Sequence, residues 1–286
     1  MAYALRLRSS GKTWKDVLSA IADHLPGDVR VRVEAPEKGS KLQRAPLVLV
    51  FRERLSTRGV ELLEGEGTLT LRIPSFPSAE DLSLGLQLAQ LSAAALGTAS
   101  LETLDGPRAP SELHGEAMGE ALARAQTADN EALNTSILEG QTMELPGCMR
   151  PFFLGPRLYE TLRTAGTAQA GLWEKVAAQF LHVQWVHLQG FHPSTVMGMK
   201  RGKAEFTACT WQPDRAQVLA PVDVVLVKAA AEPLRLPWAA LPKVAGDRFA
   251  WLDERQVLLH AVPGAEWASV VERAELSLGT RSQLPQ

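Results

Sequence analysis

Two short segments near the start of the chain alternate aliphatic and charged residues. In residues 3–9, Leu5 and Leu7 alternate with Arg6 and Arg8, and in residues 29–34 three valines alternate with charged side chains. A repeat of two residues matches a β-strand that buries one face and exposes the other. We therefore expect both segments to be strands, with the leucines and all three valines facing a core.

The segment between these strands has the pattern of an amphipathic helix. Thr13 is followed three residues later by Asp16, which is a capping-box signal, and apolar residues recur on one face until a Pro-Gly pair ends the helix. After a third strand and a hairpin around residues 64–67, Ser78 and Asp81 repeat the same start signal for a second, largely apolar helix. The order β, α, β, β, β, α, β predicts helices packed on one face of a mostly antiparallel sheet.

The length of 286 residues favours two domains, at roughly 150 residues each. The fold class that we expect is α+β, with two α/β-sandwich-like modules and mostly antiparallel sheets joined by a polar helical connector. We place the first module at residues 1–105, the connector at 106–142, a Trp-rich second module at 143–278 and a loose tail at 279–286. In the second module we expect helices near 156–164 and 171–180, strands at 182–188, 204–211, 222–228 and 256–262, and a last helix after residue 264.

The cysteine content and the apolar segments indicate a cytoplasmic protein. Cys148 and Cys209 fit no disulfide-rich pattern, which favours free thiols in a reducing compartment. The N-terminus lacks the uninterrupted apolar run of a signal peptide, and the long uncharged stretch 82–101 contains enough polar residues to be a buried helix instead of a membrane anchor. Arginine outnumbers lysine 21 to 9, which is associated with GC-rich bacterial genomes.

The net charge of −2 hides an uneven distribution of charge along the chain. Residues 1–60 carry twelve basic and six acidic side chains, whereas residues 61–145 carry three basic and fourteen acidic ones. The early arginines alternate with apolar residues and have no interleaved aromatic residues, so the pattern indicates solvent faces of strands and disfavours nucleic-acid binding. The acidic middle is typical of a solvated helical face, or of a surface that meets a basic partner.

Three histidines and one cysteine are the candidates for enzymatic chemistry. His182, His187 and His192 could ligate zinc, but a spacing of five residues places consecutive ones on opposite faces of a strand. Cys148 lies in a turn-like segment beside Arg150 and could act as a nucleophile if a distant base were brought to it. A metal-dependent or cysteine-based enzyme that uses these residues is therefore the alternative hypothesis. Under the main hypothesis, a non-catalytic protein, we expect no catalytic residue, metal or cofactor.

Aromatic residues in proline-rich segments and a row of glutamates indicate a protein-binding surface. Large aromatic side chains on loops are enriched where proteins bind one another, and glutamates four residues apart would share one edge of a helix. The sequence thus favours a non-catalytic bacterial cytosolic protein-binding protein, an adaptor or an immunity-type protein that neutralises a toxin, whose partner presents a basic surface and which binds neither nucleic acid nor membrane. The expected partner-binding residues are Trp238, Phe152, Phe153, Phe191, Glu112, Glu116 and Glu120.

Overall fold

The computed structural model describes residues 3–34, 47–165, 171–202, 204–230 and 232–279. Helices and antiparallel sheets both contribute to it, so the expected α+β class is confirmed. The chain divides into two compact units, Met1–Gln184 and Trp185–Gln286. None of the described helices is long and apolar enough to cross a membrane.

The first unit is built on a seven-stranded antiparallel sheet. The seven strands are β1 (Tyr3–Arg8), β2 (Val29–Glu34), β3 (Leu47–Arg52), β4 (Val60–Gly65), β5 (Thr68–Ile73), β6 (Leu101–Thr103) and β7 (Gly106–Arg108). Their order in the sheet is β2-β3-β4-β5-β1-β6-β7, so the N-terminal strand β1 lies inside the sheet and β2 lies at one edge. The hairpin expected around residues 64–67 joins β4 to β5.

Two helices, α1 (Trp14–Ile21) and α2 (Ala79–Leu96), contribute to the core on one face of this sheet. Both begin with the expected capping box, formed by Thr13 with Asp16 and by Ser78 with Asp81. In such a box the side chains satisfy backbone N–H groups that the first helical turn leaves unpaired, which fixes where each helix starts. The core beneath the helices contains Leu5, Leu7, Trp14, Val17, Leu62, Leu71, Leu84 and Leu88.

The expectation that all three valines of β2 are buried is wrong. Val31 lies opposite Val50 in the β2–β3 register and so points to the same face, yet Val31 is 50% exposed and Val50 is fully buried. Val33 is 63% exposed. The alternation gave the correct face, but the edge position of β2 leaves these two valines without the cover that Val50 has.

The segment predicted to connect two modules belongs to the first unit. Met118 and Leu122 contribute to the same core as β1 and α2, so the helix Glu116–Leu138 has an apolar face packed on that core. This helix runs without interruption over 23 residues. Leu113, in the 3-10 helix Pro110–His114 before it, belongs to the same core. The elements after β7 are α3 (Glu116–Leu138), β8 (Met143–Leu145), β9 (Phe152–Leu154), α4 (Pro156–Thr164) and α5 (Leu172–Trp185).

The turn between β8 and β9 is hydrogen-bonded to the loop that follows β3. The Cys148 backbone N–H donates to Thr57 O at 2.9 Å, and the Cys148 thiol donates to Ser56 O at 3.3 Å. These bonds and the packing of α3 explain why the compact unit extends to Gln184, beyond the boundaries expected at residues 105 and 142. Those boundaries remain predictions of where independently folding segments end.

The second unit contains two four-stranded sheets. Its elements are β10 (His192–Pro193), β11 (Met197–Arg201), β12 (Ala204–Trp211), β13 (Gln217–Leu219), β14 (Val224–Val227), β15 (Leu234–Pro237), α6 (Leu241–Ala245), β16 (Phe249–Trp251), β17 (Val257–Leu259) and α7 (Gly264–Gly279). The strand orders are β10-β13-β17-β16 and β11-β12-β14-β15, and only the pairs β10–β13 and β12–β14 are parallel among the described strands. Trp211 and Trp267 pack edge to face in the core of this unit, with ring centroids 5.2 Å apart.

Two expectations for the later part of the chain need correction. Residues 182–188 are not a strand, because α5 continues to Trp185 and is followed by the 3-10 helix Val186–Gln189. Gly279, expected at the start of the loose tail, is the last residue of α7. The rest of that tail, residues 280–286, lies outside the described residues.

Candidate functional site

The carboxylate of Asp81 is a buried centre that joins two segments of the first unit, the loop of residues 57–59 and the start of α2. Its Oδ2 accepts hydrogen bonds from the backbone N–H groups of Thr57, Arg58 and Ser78 and from the Thr57 hydroxyl, at 2.9–3.1 Å. Its Oδ1 accepts from the Gly59 N–H at 3.0 Å. We refer to these five residues as the Asp81 hub.

The hub also holds the loop before α2 in an unusual conformation. The Arg58 guanidinium donates to Ser75 O at 2.8 Å, and the Thr57 hydroxyl, whose one proton is directed to Asp81, lies 3.4 Å from Phe76 O. Phe76 has φ = 59°, a left-handed conformation that is rare for a bulky residue and costs about 1–3 kcal/mol. A strained backbone persists only where its surroundings over-determine it, and here the hub supplies those contacts.

The strained residue forms part of the wall of a cavity of about 560 Å³, which we call the apolar groove. Most of its lining is hydrophobic, and it lies between the start of α2, the middle of α3 and the first turns of α5. Phe76 and Trp173 are both only partly buried, so their side chains keep exposed area. The other main lining residues are Pro77, Leu82, Gln126, Asn130, Val176, Ala177, Phe180 and Leu181.

Helix α5 presents its lining residues at helical spacing. Val176 and Phe180 are four residues apart and buried, and the Phe180 ring stacks on Phe152 with centroids 4.7 Å apart and planes 17° apart. This stack fixes the inner part of the helix, whereas Trp173 and Ala177 lie towards the open side. The groove therefore has a rigid base and partly exposed aromatic walls.

The charge at the groove is negative. Among the described residues that line it, Glu174 alone carries a charge, and its carboxylate is exposed and accepts a hydrogen bond from the Gly171 N–H at 3.1 Å. The segment 61–145, which supplies two walls of the groove, carries a large acidic excess. A ligand with a positive charge beside an apolar part would therefore match both the apolar lining and the carboxylate of Glu174.

A small cavity of about 10 Å³ adjoins the groove and shares Pro77, Leu82 and Gln126 with it. Tyr3 and Asp129 also line this cavity, and both are buried. The Tyr3 hydroxyl has no hydrogen-bond partner among the described residues. A volume of this size is close to the minimum that can hold one water molecule, which could hydrogen-bond to that hydroxyl.

The structure places Phe152 and Phe153 in the interior. Both lie in β9 and are buried, Phe152 completely, so they are core residues where the sequence suggested an aromatic loop. Their contribution to the groove is indirect, through the stack of Phe152 on Phe180. We therefore do not retain these two residues in a partner-binding surface.

The other two aromatic candidates belong to the second unit. Trp238 starts the 3-10 helix Trp238–Ala240 and is partly buried against the core of that unit, so part of its ring is structural. Phe191 is partly buried and packs edge to face against His260, with ring centroids 5.2 Å apart. Binding of a partner by these residues remains a prediction.

The three glutamates do not form one continuous row. Glu112 lies in the 3-10 helix Pro110–His114, where its carboxylate accepts a hydrogen bond from the Ala109 N–H, and α3 begins only at Glu116. Glu116 and Glu120 are exposed on α3. Glu120 also lies 4.0 Å from Arg124, which offsets part of its charge.

The candidates for enzymatic chemistry are placed unfavourably for it. Burial, helped by the nearby Asp81 carboxylate, raises the pKa of Cys148 to about 12, so its thiol is protonated at neutral pH. Burial lowers the pKa of His182, which lies in α5, while His187 follows in a 3-10 helix and His192 in β10. In the part of the chain that the structure describes, no three His, Cys, Asp or Glu side chains are grouped so that they could hold a metal ion.

The residues that define the groove were not identified from the sequence. Trp173 and Phe180 carry a recognisable helical spacing, but nothing local shows that α5 packs beside α2. The left-handed Phe76 between Pro74 and Pro77 depends on donors that lie about twenty residues away in sequence. No protein-family model, curated protein or solved structure matches this chain, so its function must be argued from its own geometry.

Proposed function

We propose that the protein is a non-catalytic protein-binding protein whose apolar groove receives an apolar segment of a partner flanked by basic residues. The observation that carries this proposal is the partly exposed pair Phe76 and Trp173 on a groove of about 560 Å³, with Phe76 held in a strained backbone conformation by the Asp81 hub. A strained backbone conformation persists only where the surrounding structure holds it, and residues of this kind cluster at binding and catalytic sites.

The size of the groove supports this type of ligand. Pockets that bind small ligands or anchoring side chains occupy roughly 300–1,000 Å³ and are mainly apolar. Side chains inserted into such pockets contribute most of the affinity of protein interfaces. The groove is therefore large enough for a short segment that carries two or three apolar side chains.

The charge of the first unit supports a basic partner. Glu174 lies on the groove, and residues 61–145 carry fourteen acidic and only three basic side chains. Complementary charge increases the association rate and disfavours acidic competitors. A bacterial cytoplasmic adaptor or an immunity-type protein that covers a basic toxin is the biological role that we propose, with composition as its support.

Selection from a random peptide library on the whole purified chain tests the proposal. We expect enriched peptides to carry two or more large apolar residues next to lysine or arginine. Trp173→Ala should weaken their binding by at least about tenfold, as expected when an interface anchor is removed. Glu174→Gln keeps the acceptor for the Gly171 N–H but removes the charge, and should weaken binding less, mainly at low salt.

Phe76→Gly separates binding from stability. Glycine adopts φ = 59° without strain, so relief of the backbone offsets the packing that is lost with the ring, and we expect an unchanged melting temperature but weaker binding. Trp251→Ala, at an exposed tryptophan of the second unit, is the matched control and should bind like the parent. Selected peptides that bind Trp173→Ala and the parent equally well would overturn the proposal.

A further inference from the structure

The strand β2 forms one edge of the seven-stranded sheet and has the features of a pairing surface. It is six residues long, contains neither glycine nor proline, and has a strand neighbour only on the β3 side among the described residues. The opposite edge differs, because β7 has three residues and contains Pro107. Short edge strands with proline are a common protection against edge-to-edge pairing, and β2 lacks it.

The backbone of β2 leaves a defined set of hydrogen-bonding groups on the outer side. The Glu53 N–H donates to Asp28 O at 3.0 Å, so Asp28 and the even-numbered residues after it direct their backbone groups towards β3. The odd-numbered residues direct their backbone N–H and C=O groups away from β3. Of these, Val29 is already engaged, because its N–H donates to Pro26 O and its carbonyl accepts from Arg30. Among the residues that the structure describes, the outward N–H and C=O groups of Val31 and Val33 have no hydrogen-bond partner.

One antiparallel register between two copies of β2 uses this set completely. If Arg32 lies opposite Arg32 of the second copy, Val31 lies opposite Val33 of the second copy in a hydrogen-bonded pair, and the reverse pair follows by symmetry. The four resulting hydrogen bonds satisfy the outward N–H and C=O groups of both valines in both copies. A register shifted so that Val31 faces Val31 would instead require the groups of Val29 that are already bonded.

The side chains favour the same register. The exposed valines of the two copies meet on one face, which covers apolar area that a single copy leaves in solvent. On the other face Arg30, which is paired with Glu53 of its own chain at 2.7 Å, lies opposite Glu34 of the second copy, and the side chains of Arg30 and Glu34 are both partly exposed in one copy. The central Arg32 is neutralised within its own chain, since it lies 2.5 Å from Glu34 and donates to Cys148 O.

We propose that two copies of the chain associate through antiparallel pairing of their β2 strands, which joins their sheets into one continuous sheet across a two-fold axis. The occupant of this edge is a second copy, because the free backbone groups, the valines and the charge pairs all match those of the same strand after a two-fold rotation. An interface centred on one strand is small, so the dimer forms reversibly and depends on concentration.

Sedimentation velocity of the whole chain, over a roughly hundredfold range of concentration, measures this association. We expect a monomer–dimer equilibrium for the parent. Arg30→Glu and Glu34→Arg each place like charges opposite one another and should raise the dimer dissociation constant at least about tenfold. The double variant Arg30→Glu with Glu34→Arg restores opposite charges across the interface and should recover the dimer. Only the register that places residue 30 opposite residue 34 predicts this recovery.

Cysteine cross-linking gives a second, independent measurement. Arg32→Cys places a thiol opposite its symmetry mate in a non-hydrogen-bonded pair, where cross-strand side chains approach most closely, and mild oxidation should yield a covalent dimer. Arg30→Cys is the control, because residue 30 and its mate are about 14 Å apart along the strands in this register. The native Cys148 and Cys209 are buried and should not contribute.

The outcomes decide the proposal in either direction. A parent that stays monomeric over the whole range, or folded single variants that dimerise like the parent, would overturn it. Circular dichroism and melting temperature show whether each variant is folded. If a charge variant fails to fold, the cross-linking pair still decides, since equal cross-linking of Arg32→Cys and Arg30→Cys would exclude the register.

Discussion

The carboxylate of Asp81 and the backbone N–H of Gly59 are joined by a hydrogen bond of 3.0 Å that connects the first turn of α2 to the start of β4. Gly59 has φ = 71°, and a Cβ at this position would lie 2.7 Å from Val50 O, so a larger residue does not fit. The N-cap region of α2, the loop after β3 and the loop of Phe76 therefore depend on one another. A change at Asp81 should affect both stability and the apolar groove.

Asp81→Asn tests this dependence. Asparagine replaces one of the two carboxylate oxygens by an NH2 group. The backbone N–H groups that donate to this oxygen in the parent then face another donor, so these buried groups lose their hydrogen-bond partner. We expect the free energy of unfolding to fall by about 2–4 kcal/mol, measured by urea denaturation. Asp16→Asn is the matched control, because Asp16 occupies the same capping position in α1 but is exposed, and its loss should be smaller. Equal losses would show that the hub contributes nothing beyond a helix cap.

The two cysteines provide a test of burial. Desolvation raises the pKa of Cys148 to about 12 and that of Cys209 to about 11, so neither forms an appreciable thiolate at pH 8. We expect the folded protein to react very slowly with a disulfide reagent such as 5,5′-dithiobis(2-nitrobenzoate), and both thiols to react at once in guanidinium chloride. Rapid labelling of Cys148 in the folded protein would return the cysteine-nucleophile hypothesis to consideration.

Local sequence signals predicted those parts of the fold that local chemistry determines. The capping boxes at Thr13 and Ser78 lie within four residues of the helices that they start, and both helices begin where expected. Strand β12 and helix α4 also match their expected ranges. These elements carry their own boundary residues, so no knowledge of the tertiary structure was needed.

Packing between distant segments decided the elements that were wrong. Residues 182–188 resemble a strand in isolation, but the buried positions Val176, Phe180 and Val183 continue one helical face, and contacts along that face extend α5. The exposed valines of β2 depend on where its strand lies in the sheet. The apolar groove depends on how α5 packs beside α2 and α3, which no short segment encodes.

The pKa of His182 predicts a specific pH dependence of stability. Burial lowers the pKa of His182 in the folded protein below its ordinary value of 6.5, so the unfolded chain binds the proton more readily. Above pH 6.5 the imidazole is neutral in both states and does not change the free energy of unfolding. As the pH falls below 6.5 the unfolded state gains the proton first, and stability is lost until the folded pKa is reached.

His182→Asn should therefore reduce the loss of stability between about pH 7 and pH 5, measured as the urea midpoint at each pH. The matched control is His192→Asn, the same substitution at an exposed position in β10, and its urea midpoint is compared with that of His182→Asn at each pH. The difference between the two variants isolates the effect of the partly buried His182 imidazole. A steeper loss for His182→Asn than for the parent would contradict the assigned burial.

Gly85 and Gly119 form a pair that tests how closely α2 packs on the sheet. A Cβ at Gly85 would lie 2.6 Å from the Ile73 Cδ1 atom, whereas a Cβ at Gly119 would meet nothing within 4 Å. Alanine is favoured over glycine in a helix by about 0.5–1 kcal/mol, so Gly119→Ala should raise the free energy of unfolding by that amount. Gly85→Ala gains the same helix preference but must displace a fully packed isoleucine, and we expect a net loss of about 1–2 kcal/mol. Because both substitutions are chemically identical and both lie within helices, a gain at both positions in thermal or urea unfolding would show that α2 lies farther from β5 than the structure places it.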